Sequence, residues 1–186
     1  MKAGPGRIRA FVALDIDDAV RARLAGLVRE LQPRIKGVRW VRTEGIHLTL
    51  RFLGDATREA LDLLQPRLLA AAASCPRAEV PVEGLGLFPE RGSPRVLFVN
   101  ARLPEAMTAL PAACEDAAVA AGFARESRPF RSHLTLGRWR ERTPRPDLPE
   151  ADLGTLCLDT LVLFRSQLKP AGAVYTPLAT FPLRPP

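Results

Sequence analysis

The tetrapeptide His-Leu-Thr-Leu occurs twice in this chain, as His47-Leu48-Thr49-Leu50 and His133-Leu134-Thr135-Leu136. The two copies hold both of its histidines. Residues i and i+2 of a β-strand share a face. Each copy therefore presents an imidazole and a hydroxyl together, with two leucines turned the other way. A lone histidine in an apolar strand usually serves packing, but packing does not call twice for a threonine two positions on. Two such strands facing one cleft would supply two acid–base groups and two hydrogen-bond donors. That set suits the cleavage of a phosphate ester without a metal.

The chemistry needs the pair for a geometric reason. In displacement at phosphorus, attacker and leaving group lie on opposite sides. One imidazole takes a proton from water and the other gives one to the departing oxygen. An ordinary histidine pKa of about 6.5 allows both forms near neutrality. Thr49 and Thr135 are candidates to donate to the non-bridging oxygens. Because the motifs are identical, the residues alone leave open which histidine is acid and which is base. A zinc site wants three or four ligands, and neither motif has Asp, Glu or Cys beside it. A Ser-His-Asp set needs one histidine and a nucleophile on a sharp turn; Ser93, Ser127, Ser132 and Ser166 show none. No metal and no cofactor is expected.

Around the motifs the sequence alternates between strand and helix patterns. Ile8–Ile16 reads as a buried first strand. Asp17 is a candidate N-cap for a helix over 18–31, stopped by Pro33. Strands are expected at 38–41 and 46–53, then a helix over 57–73 that Pro66 should kink or split. Strands follow at 79–87 and 95–101. A second long helix is expected from Pro104 to Ala121, interrupted by Pro111 and stopped by Gly122. Strands at 132–139, 156–165 and 173–181 complete the chain, with a proline-rich loop over 143–149. The tetrapeptides occupy similar places in two halves, roughly 1–92 and 93–186, which suggests an internal duplication. The expected architecture is α+β: one domain of two pseudo-twofold-related lobes, each an antiparallel sheet with outer helices, around a central cleft.

The 186 residues are 47% hydrophobic, enough for a shared core and too apolar for disorder. No run of about 18 uncharged apolar residues could span a membrane. The basic start is followed by an apolar stretch, Phe11–Ile16, too short for an export signal, so a cytoplasmic location is expected. Cys75, Cys114 and Cys157 are odd in number and widely spaced, and read as buried thiols. The net charge is +7, carried almost wholly by arginine. Arginine forks suit phosphate, but a basic composition supports a nucleic-acid partner only weakly.

With the doubled motif in view, the chain resembles the 2H phosphoesterase superfamily, and more closely the bacterial and archaeal RNA 2′,3′-cyclic phosphodiesterases known historically as 2′-5′ RNA ligases. The resemblance runs through Arg9–Leu14, Val38-Arg39-Trp40-Val41 with Ile46–Gly54, and Arg128-Pro129-Phe130-Arg131-Ser132 leading into His133–Arg138. It continues in Leu163–Ser166 and Tyr175–Leu178. It implies hydrolysis of 2′,3′-cyclic phosphate ends of RNA, such as tRNA fragments, to 2′-phosphates without metal, and a weak reverse 2′-5′ ligation. It makes His47 the proton donor to the leaving 3′ oxygen and His133 the base. It also implies that Arg138 reaches the phosphate or nucleotide. Phe11 and Tyr175 are candidates to stack on a base, though packing is their commoner use. Trp40 and Trp139 read as packing or cleft wall. Rival readings are a 2H phosphodiesterase acting on a small cyclic nucleotide or a 2′-5′ oligonucleotide, and a non-catalytic module that binds RNA ends. A two-lobed chain needs no partner subunit, so a monomer is expected.

Overall fold

The structure is a computed structural model that describes residues 6–169 and 172–185. The first five residues, part of the basic start, lie outside them, as does Pro186. Among the described residues nine strands form two antiparallel sheets. They are β1 (Ile8–Leu14), β2 (Val38–Trp40), β3 (Leu48–Ala56), β4 (Ala78–Phe88), β5 (Val96–Ala101), β6 (His133–Trp139), β7 (Asp152–Leu158), β8 (Thr160–Lys169) and β9 (Gly172–Pro182). One sheet has the order β3-β1-β8-β9, the other β2-β6-β5-β4-β7. With β2 set aside, the orders correspond: a histidine strand at one end, then the antiparallel strand that precedes it in the chain across a helix, then two further strands. Each sheet draws on both halves of the chain: β2 and β4 of the first half lie in the five-stranded sheet, and β8 and β9 of the second half lie in the four-stranded one.

Three helices cover the sheets. Helix α1 (Asp18–Leu31) packs on β7, while α2 (Arg58–Ser74) and α3 (Leu110–Ala120) pack on each other and on the four-stranded sheet. Asp17 caps α1 by accepting from the Val20 amide at 2.7 Å, and Thr57 caps α2 by accepting from that of Ala60 at 3.2 Å. Alternation along the strands separates two faces. Val12, Leu14, Leu134, Leu136, Leu161 and Leu163 join the helices' leucines in one continuous core. Phe11, Ala13, Val162 and Phe164 turn the other way and cluster with Tyr175.

Several expectations are corrected. Helix α2 is continuous through Pro66. Both Pro66 and Asp62, whose carbonyl loses its partner, lie on the exposed side, where water can satisfy that oxygen. Pro111 begins α3 rather than breaking it: a separate 3₁₀ turn spans Glu105–Met107, and proline suits the first helical turn, whose amides have no intrahelical acceptor. The single strand expected over 156–165 is two, β7 and β8, which belong to different sheets and meet at Asp159. Cys157 is exposed on β7, unlike Cys75 and Cys114, which are buried. Trp139 is buried, with Nε1 donating to the Lys36 carbonyl at 3.0 Å. Among the described residues no helix is long and apolar enough to cross a membrane.

Candidate active site

His47 stands one residue before β3, and His133 opens β6. The two strands, each at or near the edge of its own sheet, touch where the sheets meet. A cleft of about 490 Å³ opens there. Its walls include His47, Thr49, Thr135, Arg138, Phe11 and Tyr175, as well as Arg9, Phe52, Arg128 and Ser166. His133 does not line the cavity proper. It stands beside it, two residues before Thr135, near enough for its charge to act on the His47 ring.

The local register explains why these side chains converge. In the β1–β3 pair the register steps from Ala13 opposite Thr49 to Val12 opposite Arg51, skipping Leu50. In the β5–β6 pair it steps from Phe98 opposite Thr135 to Leu97 opposite Gly137, skipping Leu136. The extra residue is the last of each tetrapeptide and reverses the alternation beyond it. Phe52 and Arg138 thereby return to the histidine face. Arg51 turns to the helix side, where it pairs with Glu115 of α3 and donates to the Phe52 and Ala124 carbonyls. The sequence reading missed Phe52, Phe88, Phe98 and Phe164; alternation about the motifs could have pointed to Phe98 and Phe164. Arg128 sits on a loop with no pattern to reveal it.

Each histidine is held from two positions back. His133 Nδ1 lies 2.6 Å from the Arg131 carbonyl oxygen. A carbonyl only accepts, so Nδ1 carries the proton and Nε2 is left with its lone pair. The His47 ring is likewise hydrogen-bonded to the backbone of Gly45. The walls differ. His47 stacks on Phe11 at 4.5 Å between ring centroids and meets Tyr175 edge-on at 5.1 Å. His133 meets Phe88 and Phe98 edge-on at 5.1 and 5.3 Å, and the Arg131 guanidinium lies 4.7 Å over Phe88. Gly45 makes room for this arrangement, since a Cβ there would come within 3.1 Å of the Tyr175 ring.

Burial dominates the titration of both rings. It pushes His47 down to about 4, against its bond to Gly45 and with help from the positive charges of Arg21, Arg138 and His133. It pushes His133 down as well, again opposed by the backbone bond and aided by Arg138 and Arg131. Burial raises the Tyr175 phenol, while Arg138 and Arg9 oppose that rise. The cleft walls carry arginines and hydroxyls but no carboxylate or thiol among the described residues. No group of three or more His, Cys, Asp or Glu side chains that could hold a metal occurs among them. The site brings together two imidazoles, two threonine hydroxyls and several arginines.

Comparison with known proteins shows the family and the fold. Residues 14–98 match the family model described as LigT-like phosphoesterase. An RNA 2′,3′-cyclic phosphodiesterase of Archaeoglobus fulgidus is 31% identical, the alignment covering 94% of this chain and 99% of that one. An RNA 2′,3′-cyclic phosphodiesterase of Thermus thermophilus is 35% identical over 95% of this chain and 91% of its own. A crystal structure of a Thermus thermophilus protein superposes with a TM-score of 0.83 at 31% identity, covering 96% of this chain and 99% of that one. E. coli LigT complexed with 3′-AMP shares the fold, with a TM-score of 0.83 at 23% identity over 95% and 98%. Fold and site define a two-lobed phosphoesterase with paired histidine motifs. The chain belongs to the LigT-like phosphoesterases, the family of the RNA 2′,3′-cyclic phosphodiesterases.

Proposed function

We propose that this protein hydrolyses the 2′,3′-cyclic phosphate ends of RNA to 2′-phosphates, using His47 and His133 as an acid–base pair without metal. The observation that carries the reading is the meeting of β3 and β6, which puts His47, Thr49 and Thr135 on the wall of one cation-lined cleft with His133 beside it. His133 accepts a proton from water through Nε2 as the water oxygen bonds to phosphorus. The bond from phosphorus to the 3′ oxygen breaks, and His47 protonates that oxygen. The low pKa of His47 makes its charged form a strong acid, and a phosphate anion in the cleft favours that form. Thr49 and Thr135 donate to the non-bridging oxygens. Exchange with solvent then returns each ring to its starting state. With the 5′ hydroxyl of a second RNA in place of water as the attacker, the same proton transfers and the same loss of the 3′ oxygen give weak 2′-5′ joining. Tyr175, edge-on to His47 on the cleft wall, stacks with a base of the substrate; its place in the cleft lining supports that reading. Phe11 lies beneath the His47 ring, and that stacking is its main role. We read the protein as cytoplasmic and monomeric, descended from a duplication near residue 92 followed by exchange of strands between the two sheets.

The test is an RNA oligomer with a 2′,3′-cyclic end, followed by chromatography of the product. A 2′-phosphate is expected, at a rate unchanged by chelator. His47→Ala and His133→Ala should each lower kcat by about 10²–10⁴. Loss of activity on chelation with recovery on adding zinc would overturn the metal-free scheme. Turnover of a small cyclic nucleotide with none of the RNA would move the substrate away from RNA ends.

A further inference from the structure

We propose that a basic groove beyond the cleft, lined by Lys36, Arg39, Arg140 and Arg142, binds the phosphodiester backbone of the RNA whose cyclic end is being cut. The proposal rests on the function just stated and adds to it the path of the polymer. The starting observation is a like-charge pair. In the β2–β6 ladder Arg39 lies directly opposite Arg138. Residues directly opposite in an antiparallel pair share a face, and like charges placed so are destabilising. Arg138 faces the cleft, so Arg39 extends the same cationic surface one strand outward, to the sheet edge.

The groove takes over at that pair. Arg138 lines the cleft, whereas Arg39, Trp139, Arg140 and Arg142 line a second, open cavity of about 820 Å³. The paired Arg39 and Arg138 stand one on each cavity, side by side in the β2–β6 ladder. Its cations are exposed, and among the described residues none of Lys36, Arg39, Arg138, Arg140 and Arg142 forms an ion pair. Neighbouring arginines are used differently: Arg95 donates to the Arg140 carbonyl at 2.6 Å, and Arg145 to those of Pro89 and Gly92 at 2.9 and 3.2 Å. One carboxylate, Glu141, also lines the groove and has no cationic partner among the described residues. Four cations against one anion leave a net positive channel suited to phosphate.

Position fixes the role. Arg140 stands seven residues past His133, about 20 Å along an extended strand at ~3.3 Å per residue. A phosphate reached there belongs to a nucleotide well away from the reacting end. Trp139 is buried, so the groove offers no exposed ring on which a base could stack. It therefore holds backbone charge without regard to sequence, and serves long substrates but not mononucleotides.

The experiment compares wild type with the triple variant Arg39→Ala, Arg140→Ala, Arg142→Ala on two substrates, a mononucleotide 2′,3′-cyclic phosphate and a cyclic-ended RNA of about ten nucleotides. All three positions are exposed, and a circular dichroism melt checks folding. The variant should match wild type on the mononucleotide, and its KM for the oligomer should rise about tenfold or more. The slope of log KM against log salt for the oligomer should fall by about two, at ~0.7 per phosphate contact on a single strand. Equal kinetics of variant and wild type on both substrates would overturn the groove and leave the catalytic reading intact. Wild type that cuts neither substrate would overturn the catalytic reading. Fluorescence anisotropy with a 2′-phosphate-ended oligomer then tests the groove separately: weaker binding by the variant supports it, and unchanged binding overturns it.

Discussion

Phe52 and Arg138 occupy equivalent positions in the two histidine strands, each returned to the cleft by a skipped leucine, yet one is a ring and the other a cation. Phe52 lies opposite Phe11 and extends the aromatic wall around His47. Arg138 lies opposite Val96 and supplies charge beside His133. Identical tetrapeptides thus sit in unlike surroundings, and the proposed division of acid and base between the two imidazoles rests on this asymmetry.

Arg138→Ala should therefore weaken handling of the phosphate more than it weakens the fold. A hydrogen bond to a charged group is worth about 1.5–3 kcal/mol, or roughly ten- to a hundredfold in kcat/KM. Arg138→Lys should recover part of the loss, because lysine supplies the charge without the two-pronged fork. Steady-state kinetics of both variants checks this, and no change in either would remove Arg138 from the site.

The pH profile follows from the two depressed histidines. With His47 near 4 and His133 below its ordinary value of about 6.5, both rings are neutral in the free protein at pH 7. Since kcat/KM reports the free enzyme, its maximum should lie on the acid side of 6.5. The kcat profile should be displaced upward, because bound phosphate favours the charged ring. Stability has a definite sign too: the unfolded chain takes up the His47 proton first, so stability present above about 6.5 is lost as pH falls toward 4. His47→Gln should flatten the fall of melting temperature over that range.

Thr49→Val and Thr135→Val keep shape and remove a donor. Each should lower kcat by about 10²–10³ with little change in KM, the pattern of a hydrogen bond that strengthens as charge builds. A change confined to KM would make these hydroxyls binding groups only.

Glu115→Ala should unfold the protein easily while sparing the chemistry. It strands the Arg51 guanidinium, whose side chain is 9% exposed, and removes an acceptor for the Glu126 amide. Removing one partner of a buried ion pair costs about 3–5 kcal/mol. Urea titration should show that loss, with near-normal kcat at low temperature.

The sequence alone determined the candidate catalytic groups and the alternation that separates them from the core. His-x-Thr at strand spacing places imidazole and hydroxyl on one face and leucines on the other, and two copies in one chain limit the chemistry sharply. Most strands were legible for the same reason, and Asp17 announced its helix. The limits appeared where local signals were ambiguous. Pro66 and Pro111 read as breaks because a proline's effect depends on whether its helix face meets solvent and how near it lies to the start. The span 156–165 read as one strand because nothing local marks a change of sheet at Asp159. Only the tertiary structure decided that Arg138 joins His133 and that Arg51 leaves the cleft for Glu115. Both depend on a register step between paired strands, which belongs to neither strand by itself. Only folding, too, buries His47 against Phe11 and Tyr175 and so sets its proton affinity, because desolvation comes from neighbours far apart in the chain.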